Sequence, residues 1–196
     1  MFDVSTGAEL FKLVPSDGDE NDQFGYSVAV SGTLAVIGSW LDDDNGTDSG
    51  SAYLFDTSTG TQVFKLTASD GATLDYLGFS VAVSDGVAVI GAPFDDGAGS
   101  DAGAAYAFDT TSGTEQFKIT ASDAASSDWF GFAVSVSSGS ALVSSRLDDD
   151  GGPNSGSAYV FGSNPSQVPA FGSFGIVCLT TLLGLTAGRS FLRRID

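Results

Sequence analysis

The sequence repeats itself at a fixed interval of 53 residues. Phe24-Gly25 opens a stretch that begins again at Leu77-Gly78 and at Phe130-Gly131, so residue numbers in successive copies differ by 53. Later in the unit, Gly50-Ser-Ala-Tyr-Leu-Phe-Asp56 has close counterparts at 103–109 and 156–162, and no gap is needed to align them. Long-period repetition is typical of arrays in which each unit buries its core against its neighbours. The sequence therefore predicts an array of similar units.

The period and a change of composition near residue 163 divide the chain into segments. In order they are a partial repeat holding the last strand of a unit (1–23), repeat 1 (24–76), repeat 2 (77–129), a partial repeat 3 (130–162), a linker (163–170), an apolar span (171–188) and a basic tail (189–196). The first residues, Met1-Phe-Asp-Val-Ser-Thr-Gly7, lie inside a unit and contain no basic and apolar leader. We therefore expect that the chain is truncated at its N-terminus.

Each complete unit contains four short segments that read as β-strands. In repeat 1 they are Tyr26 to Val30, Leu34 to Ile37, Ala52 to Phe55 and Gln62 to Leu66. Runs such as Val87-Ala-Val-Ile90 are apolar at successive positions, which favours strands covered on both faces of the sheet. Four-stranded units stacked face to face are the blades of a propeller. The predicted fold is all-β, with four-stranded antiparallel blades in an incomplete or three-bladed propeller, plus one C-terminal transmembrane helix.

Two ways of completing the propeller remain open. The partial repeat 3 has three strand candidates and the leading segment supplies a fourth, at Glu9 to Leu13, so the two segments could combine into one blade. Because propellers have about four to eight blades, a ring of three would be too small. Either the chain pairs with a copy to make about six blades, or it is part of a longer propeller, which the missing leader favours. Exposed blade edges also predict self-association.

Charge and composition exclude several classes of function. The net charge is -18, and residues 1–170 alone carry 24 acidic against four basic side chains, so we expect no nucleic-acid binding. The chain has no histidine, and Cys178 is its only cysteine. The acidic residues recur in loops, as expected of a scaffold or of ion binding, so the chain is predicted not to be an enzyme.

The apolar span predicts a membrane-spanning helix. Phe171 to Gly188 contains no charge, and 18 helical residues reach roughly 27 Å, close to the hydrocarbon thickness of a bilayer. Arg189, Arg193 and Arg194 follow it and predict a cytoplasmic C-terminus with the array outside. The alternative is a buried C-terminal helix or strand pair, since glycines and threonines lower the hydrophobicity of the span.

Three motifs recur in order and resemble the FG-GAP repeat of integrin-alpha-type propellers, in its bacterial variant. They are Phe-Gly-x-Ser-Val-Ala-Val-Ser, Ala-Val-Ile-Gly-Ala-Pro at 88–93 and Gly-Ser-Ala-Tyr-x-Phe. The resemblance implies a β-propeller on a bacterial cell surface that binds proteins or glycans through its loops, often with calcium. The tail, with Val168-Pro-Ala-Phe171 before the apolar span, also resembles bacterial C-terminal sorting signals, although it departs from their Pro-Glu-Pro form.

Acidic loops in the middle of each unit are candidate Ca²⁺ sites. Calcium prefers six to eight oxygen ligands on a bendable backbone, and each loop combines glycine with several carboxylates or amides. The candidate ligands are Asp42, Asp44 and Asp48 in the first loop, Asp95, Asp96 and Asp101 in the second, and Asp148, Asp150 and Asn154 in the third. The alternative is that these loops are solvated hairpins that only keep a sheet edge soluble and unpaired.

Other recurring residues are assigned to structure. Tyr53 and Phe55, with their counterparts, are predicted to pack between blades, and Lys12, Lys65 and Lys118 are predicted to point outward. Trp40 and Trp129 are the only aromatic residues that the pattern indicates as ligand contacts.

The resulting functional hypothesis is a non-enzymatic surface recognition or adhesion module, anchored in the membrane by its C-terminal helix. The alternative hypothesis is a structural, calcium-stabilised acidic repeat protein without a specific ligand.

Overall fold

The part of the chain that the structure describes consists of eleven antiparallel strands, arranged in three sheets that follow one another along the chain. The computed structural model describes residue 1 and residues 3–162, and this part of the chain is all-β with no helix. The first sheet consists of β1 (Ser27–Ser31), β2 (Leu34–Ser39), β3 (Ser51–Asp56) and β4 (Thr61–Leu66). The second consists of β5 (Ser80–Ser84), β6 (Val87–Ala92), β7 (Ala104–Asp109) and β8 (Glu115–Ile119). The third consists of β9 (Phe130–Ser137), β10 (Ser140–Ser145) and β11 (Ser157–Gly162).

Neighbouring strands in sequence are also neighbours in each sheet, which confirms the predicted four-stranded antiparallel unit. The pairing repeats with the sequence: Val28 faces Ile37 in the first sheet, and Val81 faces Ile90 in the second. Even the irregularity recurs, because a register shift follows Leu54 in β3 and its equivalent Ala107 in β7. These sheets are propeller blades, and the third is incomplete within the described residues.

The core lies between the sheets. Val36 and Leu54 of the first sheet pack with Val81 and Val83 of the second, and all four are buried. The second sheet in turn packs against the third through a separate cluster around Phe130. The second sheet is therefore covered on both faces, and β6 and β7 are almost entirely buried. This double cover explains why their sequences are apolar at successive positions.

The leading segment folds like the end of a unit but does not complete the third sheet. The Asp3 carboxylate accepts hydrogen bonds from the backbone N–H and the hydroxyl of Ser5 at 2.8 and 2.6 Å, as Asp56 does from Ser58. Such aspartate turns favour a tight reversal of the chain. The prediction of a regular strand from Glu9 to Leu13 is wrong, because these residues pair only at an isolated bridge at Glu9.

Side-chain contacts place the leading segment beside the first sheet. Leu13 packs against the cluster of Ala35, Ile37, Tyr53 and Phe55. Consequently the leading segment and partial repeat 3 do not combine into one blade within the chain.

The described part of the chain contains no helix long and apolar enough to cross a membrane. The predicted helix at 171–188 lies outside the described residues, as do the linker and the basic tail.

Close approach between consecutive sheets depends on several glycines in each complete unit, and Gly38 and Gly91 are one equivalent pair among them. A Cβ atom on Gly38 would lie 2.0 Å from the carbonyl oxygen of Gly78, and one on Gly91 would lie 2.0 Å from that of Gly131. Both contacts are with the backbone of the following sheet, which cannot move aside without opening the interface. Ser144 occupies the equivalent position in the third sheet.

Gly91→Ala should therefore destabilise the protein by about 2 to 3 kcal/mol, because the added methyl group forces the second and third sheets apart. Ser144→Ala is the matched control and should cost less than about 1 kcal/mol, since it loses only a hydrogen bond to an exposed N–H. Denaturant unfolding of both variants measures the difference. Equal stabilities for the two variants would contradict the proposed close packing at Gly91.

Candidate functional site

A tyrosine, a lysine and several aspartates form a cluster at the outer end of the first sheet. The first aspartate of the acidic loop, Asp42, is buried and accepts a hydrogen bond of 2.7 Å from the Tyr53 hydroxyl group. The Lys65 ammonium group lies 3.1 Å from Asp42, 2.8 Å from Asp17 and 2.5 Å from Asp44. We call these five residues cluster 1. In it, strand β4 brings a cation into the centre of three carboxylates.

Cluster 2 repeats this arrangement 53 residues later. The Tyr106 hydroxyl group lies 2.7 Å from Asp95 and 2.8 Å from Asp70. The Lys118 ammonium group lies 2.7 Å from Asp95 and 2.8 Å from Asp70. Gly97 stands where cluster 1 has Asp44, so cluster 2 has one carboxylate fewer.

Cluster 3 has the carboxylates but not the lysine. The Tyr159 hydroxyl group donates to Asp148 at 2.6 Å and lies 2.9 Å from Asp123. Carboxylate oxygens of Asp123, Asp148 and Asp150 all lie within 4.8 Å of one another, and this is the only such group within residues 1 and 3–162. The residue 53 positions beyond Lys118 is Phe171, so the sequence supplies no lysine at this position.

Neighbouring polar and charged groups raise the pKa of some side chains in the clusters and lower the pKa of others. Burial favours the neutral form of Lys118, but its hydrogen bonds to Asp70 and Asp95 outweigh burial and hold its pKa above the ordinary value. In cluster 3 the hydrogen bond from Tyr159 lowers the pKa of Asp148. Repulsion from Asp148 and then Asp123 raises the pKa of Asp150. The lysine thus offsets one of the three carboxylate charges in cluster 1 and one of the two in cluster 2, whereas the three carboxylates of cluster 3 have no counter-charge among the described residues.

The predicted metal ligands fall into two groups in the structure. Five of them belong to the clusters, namely Asp42, Asp44, Asp95, Asp148 and Asp150. The remaining four predicted ligands stabilise the loops themselves: Asp48, Asp101 and Asn154 have positive φ angles, and their N–H groups bond to the carboxylates of Asp43, Asp96 and Asp149 at 2.7, 2.8 and 2.6 Å, respectively.

Sequence reasoning missed one aspartate of each cluster and misplaced the lysines. Asp17, Asp70 and Asp123 lie outside the acidic loops, and the signal that could have identified them is their own spacing of 53 residues. Lys65 and Lys118 were predicted to point outward, but they reach inward because the buried carboxylates of Asp42 and Asp95 require a counter-charge. Tyr53 is buried as predicted, and its hydroxyl group also anchors the acidic loop.

A second feature is a band of aromatic rings that crosses all three sheets, which we call the aromatic strip. Trp40 packs against Tyr26 and Tyr76 with ring centroids 5.1 and 4.9 Å apart. The chain of contacts continues from Tyr76 to Phe94 at 5.1 Å and from Phe94 to Trp129 at 4.9 Å. Its members are Tyr26, Trp40, Tyr76, Phe79, Phe94, Trp129 and Phe132, with the Arg146 guanidinium group over the rings of Trp129 and Phe132.

The strip was only partly visible in the sequence. The sequence indicated only Trp40 and Trp129, and the structure adds five further rings to them. The positions equivalent to Trp129 hold Tyr76 and Gln23, and Phe79 and Phe132 are equivalent to Tyr26. None of the seven rings is fully buried, and Tyr26 is 49% exposed.

Comparison with known proteins identifies the repeat. The FG-GAP repeat family matches residues 8–55, 61–108 and 114–161, which together span most of the chain and recur at the same period of 53. The chain belongs to the FG-GAP repeat family, whose repeats are found in surface proteins with adhesion and recognition roles. With these repeat boundaries, the aspartates and the tyrosine of cluster 1 or cluster 2 lie in one repeat, and the lysine of that cluster lies in the following repeat.

One matching solved structure is that of Kuenenia stuttgartiensis hydrazine synthase, at 12% sequence identity and a TM-score of 0.48. The match covers 76% of this chain and 36% of that chain. No curated protein matches the sequence.

Lys118→Met should destabilise the protein by about 3 kcal/mol, because it leaves the buried carboxylate of Asp95 without a counter-charge. The double variant Lys118→Met/Asp95→Asn removes both charges and should recover most of the loss. Chemical denaturation of wild type, Lys118→Met and the double variant gives the two differences. A double variant that is less stable than Lys118→Met would show that Asp95 does not depend on Lys118 for neutralisation.

Asp75 provides a pH-dependent test of the same packing. Burial raises its pKa to about 6, with a further contribution from Asp95, so its charged form is disfavoured in the folded state. Its stabilising contribution is present at low pH and is lost as pH rises through 6. Asp75→Asn should therefore be more stable than wild type at pH 8, by on the order of 1 kcal/mol after solvent screening. Thermal unfolding at several pH values should show this advantage disappearing below pH 4, and a constant difference would contradict the assignment.

Proposed function

We propose that this chain is a non-enzymatic recognition module of a bacterial cell surface and that the aromatic strip is its ligand-binding surface. The observation that carries the proposal is the continuity of partly exposed aromatic rings across three sheets. Large contiguous apolar surfaces on soluble domains commonly mark interaction sites. Tryptophan, tyrosine and arginine are also the residues that dominate binding energy at interfaces, and the strip combines all three.

Differences among the repeats support a role in binding rather than in packing alone. The core tyrosine is the same in every unit, as Tyr53, Tyr106 and Tyr159, because one packing environment recurs. One strip position varies instead, since Trp40 is replaced by Pro93 and then by Arg146, although Tyr26, Phe79 and Phe132 keep an aromatic ring. Varied contacts on a constant scaffold suit recognition of an asymmetric ligand, either a protein or a glycan.

The remaining parts of the proposal rest on sequence. The apolar span at 171–188 with its arginines supports a membrane anchor, with the repeats outside the cell and the C-terminus in the cytoplasm. The absence of histidine from the sequence and the use of carboxylates as partners for tyrosine and lysine support a function without catalysis.

Trp129→Ala and Trp40→Ala test the strip directly. The full-length protein in neutral detergent is applied to a printed glycan array and to a peptide display library, and the probes bound by wild type are titrated against each variant. We expect each tryptophan variant to lose at least about tenfold in affinity, the scale of an interface hot spot. Val63→Ala is the control, because Val63 is exposed on β4 and lies outside the strip. No selective binding by wild type, or equal binding by all variants, would contradict the proposal.

A second candidate function is a calcium-stabilised structural repeat, which cluster 3 favours. Three carboxylates at cluster 3 can supply three of the six to eight oxygens that Ca²⁺ prefers, leaving positions for water. Clusters 1 and 2 fit the ion less well, because an ammonium group already contacts their carboxylates. Calcium binding would therefore be confined to Asp123, Asp148 and Asp150.

Millimolar CaCl₂ should raise the thermal midpoint of the full-length chain by several degrees relative to EDTA if this second candidate is correct. The increase should disappear in Asp123→Asn/Asp150→Asn and persist in Asp44→Asn, the matched change in cluster 1. An unchanged wild-type midpoint would exclude calcium stabilisation and leave recognition as the function.

A further inference from the structure

The third sheet presents an open outer face. Its last strand, β11, pairs only with β10 in the described residues, whereas its equivalents β3 and β7 are each paired on both edges. Val160 of β11 is 76% exposed, although the equivalent Leu54 is fully buried. Leu142 is likewise exposed where Val36 is buried. A face that is core in the first sheet is therefore exposed to solvent in the third.

The first sheet presents the opposite open face. Val28 and Val30 of β1 are 70% and 65% exposed, while their equivalents Val81 and Val83 in β5 are buried. Between the first and second sheets, Val81 and Val83 pack in one cluster with Val36 and Leu54. The two open faces of the chain are thus the two halves of an interface that the chain already forms internally.

Charge complementarity indicates which parts meet. With repeats bounded at 8–55, 61–108 and 114–161, each lysine of clusters 1 and 2 contacts carboxylates of the preceding repeat, so cluster 3 lacks a lysine and the first repeat has one to spare. That lysine is Lys12, in the segment Phe11-Lys-Leu13, which matches Phe64-Lys-Leu66. Lys12 is exposed, and its side chain makes no hydrogen bond or ion pair with the described residues.

The residues that follow β11 in the same chain are poorly suited to fill the open face. At the spacing of 53, the fourth-strand positions fall at Gln167 to Gly172, which contain no lysine. They include Pro169, which has no N–H to donate to a sheet.

We propose that a second copy of this chain docks head to tail on the third sheet. Its residues 9–13 add to β11 as the fourth strand, and its Lys12 ammonium group enters cluster 3. The pairing of Tyr53 with Lys65 and of Ala52 with Leu66 transfers directly, placing Tyr159 opposite Lys12 and Ala158 opposite Leu13. Val28 and Val30 of the second copy then cover Leu142 and Val160.

When the first copy also docks on the third sheet of the second copy, the two copies close a ring. Each copy contributes two complete sheets and one shared sheet, so two copies form six blades, within the usual range of about four to eight. A head-to-tail contact that closes in this way leaves neither open face exposed.

Two local contacts adjust on docking. Met1 and Asp3 bond to Leu10 and Ala8 along the edge that β11 would occupy, so the first residues of the docking copy are displaced. Ser144 stands where Gly38 and Gly91 allow close approach, so the interface is wider there than between the internal sheets. Ser144→Gly should therefore tighten the association.

The test is a charge-exchange experiment on the full-length chain in neutral detergent, with mass measured by sedimentation equilibrium. Wild type should form a dimer of the 19.9 kDa chain. Lys12→Glu and Asp123→Lys/Asp150→Lys should each be monomeric, because like charges meet at both interfaces. An equimolar mixture of the two variants should regain the dimer, since both of its interfaces again pair opposite charges. Gln116→Glu, which adds a negative charge elsewhere, should dimerise as wild type does.

A monomeric wild type at the concentrations used for structural work would overturn the proposal. A dimer that Lys12→Glu leaves unchanged would also overturn it. The same holds for variants that remain monomeric when mixed, although thermal unfolding shows that each variant is folded. If Ca²⁺ stabilises cluster 3 while Lys12→Glu has no effect on mass, a metal ion rather than the second copy neutralises the cluster.

Discussion

Every blade of this protein depends on cover from its neighbours, because its strands are apolar on both faces. The second sheet has that cover on both sides, and its strands β6 and β7 are correspondingly buried. The first and third sheets have it on one side only, which leaves valines exposed at positions that are core elsewhere in the same chain. Stability in such an array is a sum of unit and interface terms, so each interface matters more than any single contact. The glycines at Gly38 and Gly91 keep those interfaces close.

The tyrosine-aspartate-lysine clusters add specificity to this apolar packing. Apolar side chains alone would let two faces shift against each other, whereas the Lys118 ammonium group joins Asp70, which precedes the second sheet, to Asp95 within that sheet. Asp42 and Asp95 are buried, and a lysine from the last strand of the same sheet compensates each of them. The acidic loops therefore serve first to hold the last strand of each complete sheet in place. The aromatic strip varies at some positions from unit to unit, as at Trp40, Pro93 and Arg146.

Much of the fold could be predicted because the repeat carries its own internal comparison. Strand positions, antiparallel order and buried tyrosines all recur at 53 residues, and each recurrence confirms the others. The clusters were less accessible, since Asp17 and Lys65 are 48 residues apart and meet only once the strands are paired. Lysines on an outer strand usually face solvent, and nothing in the local pattern of Phe64-Lys-Leu66 indicates otherwise. The aromatic strip escaped prediction because its members come from different positions of the repeat.

Hydrogen exchange measured strand by strand on dilute protein tests the dependence of each blade on its neighbours most directly. Equivalent strands have the same local sequence pattern and differ mainly in their cover, so they can be compared in pairs. We expect slower exchange in β5 than in β1, and slower exchange in β6 than in β10, whose strands are paired alike within their sheets. Equal protection within these pairs, or greater protection in β1 and β10, would show that each blade is stable by itself and does not depend on cover from its neighbours.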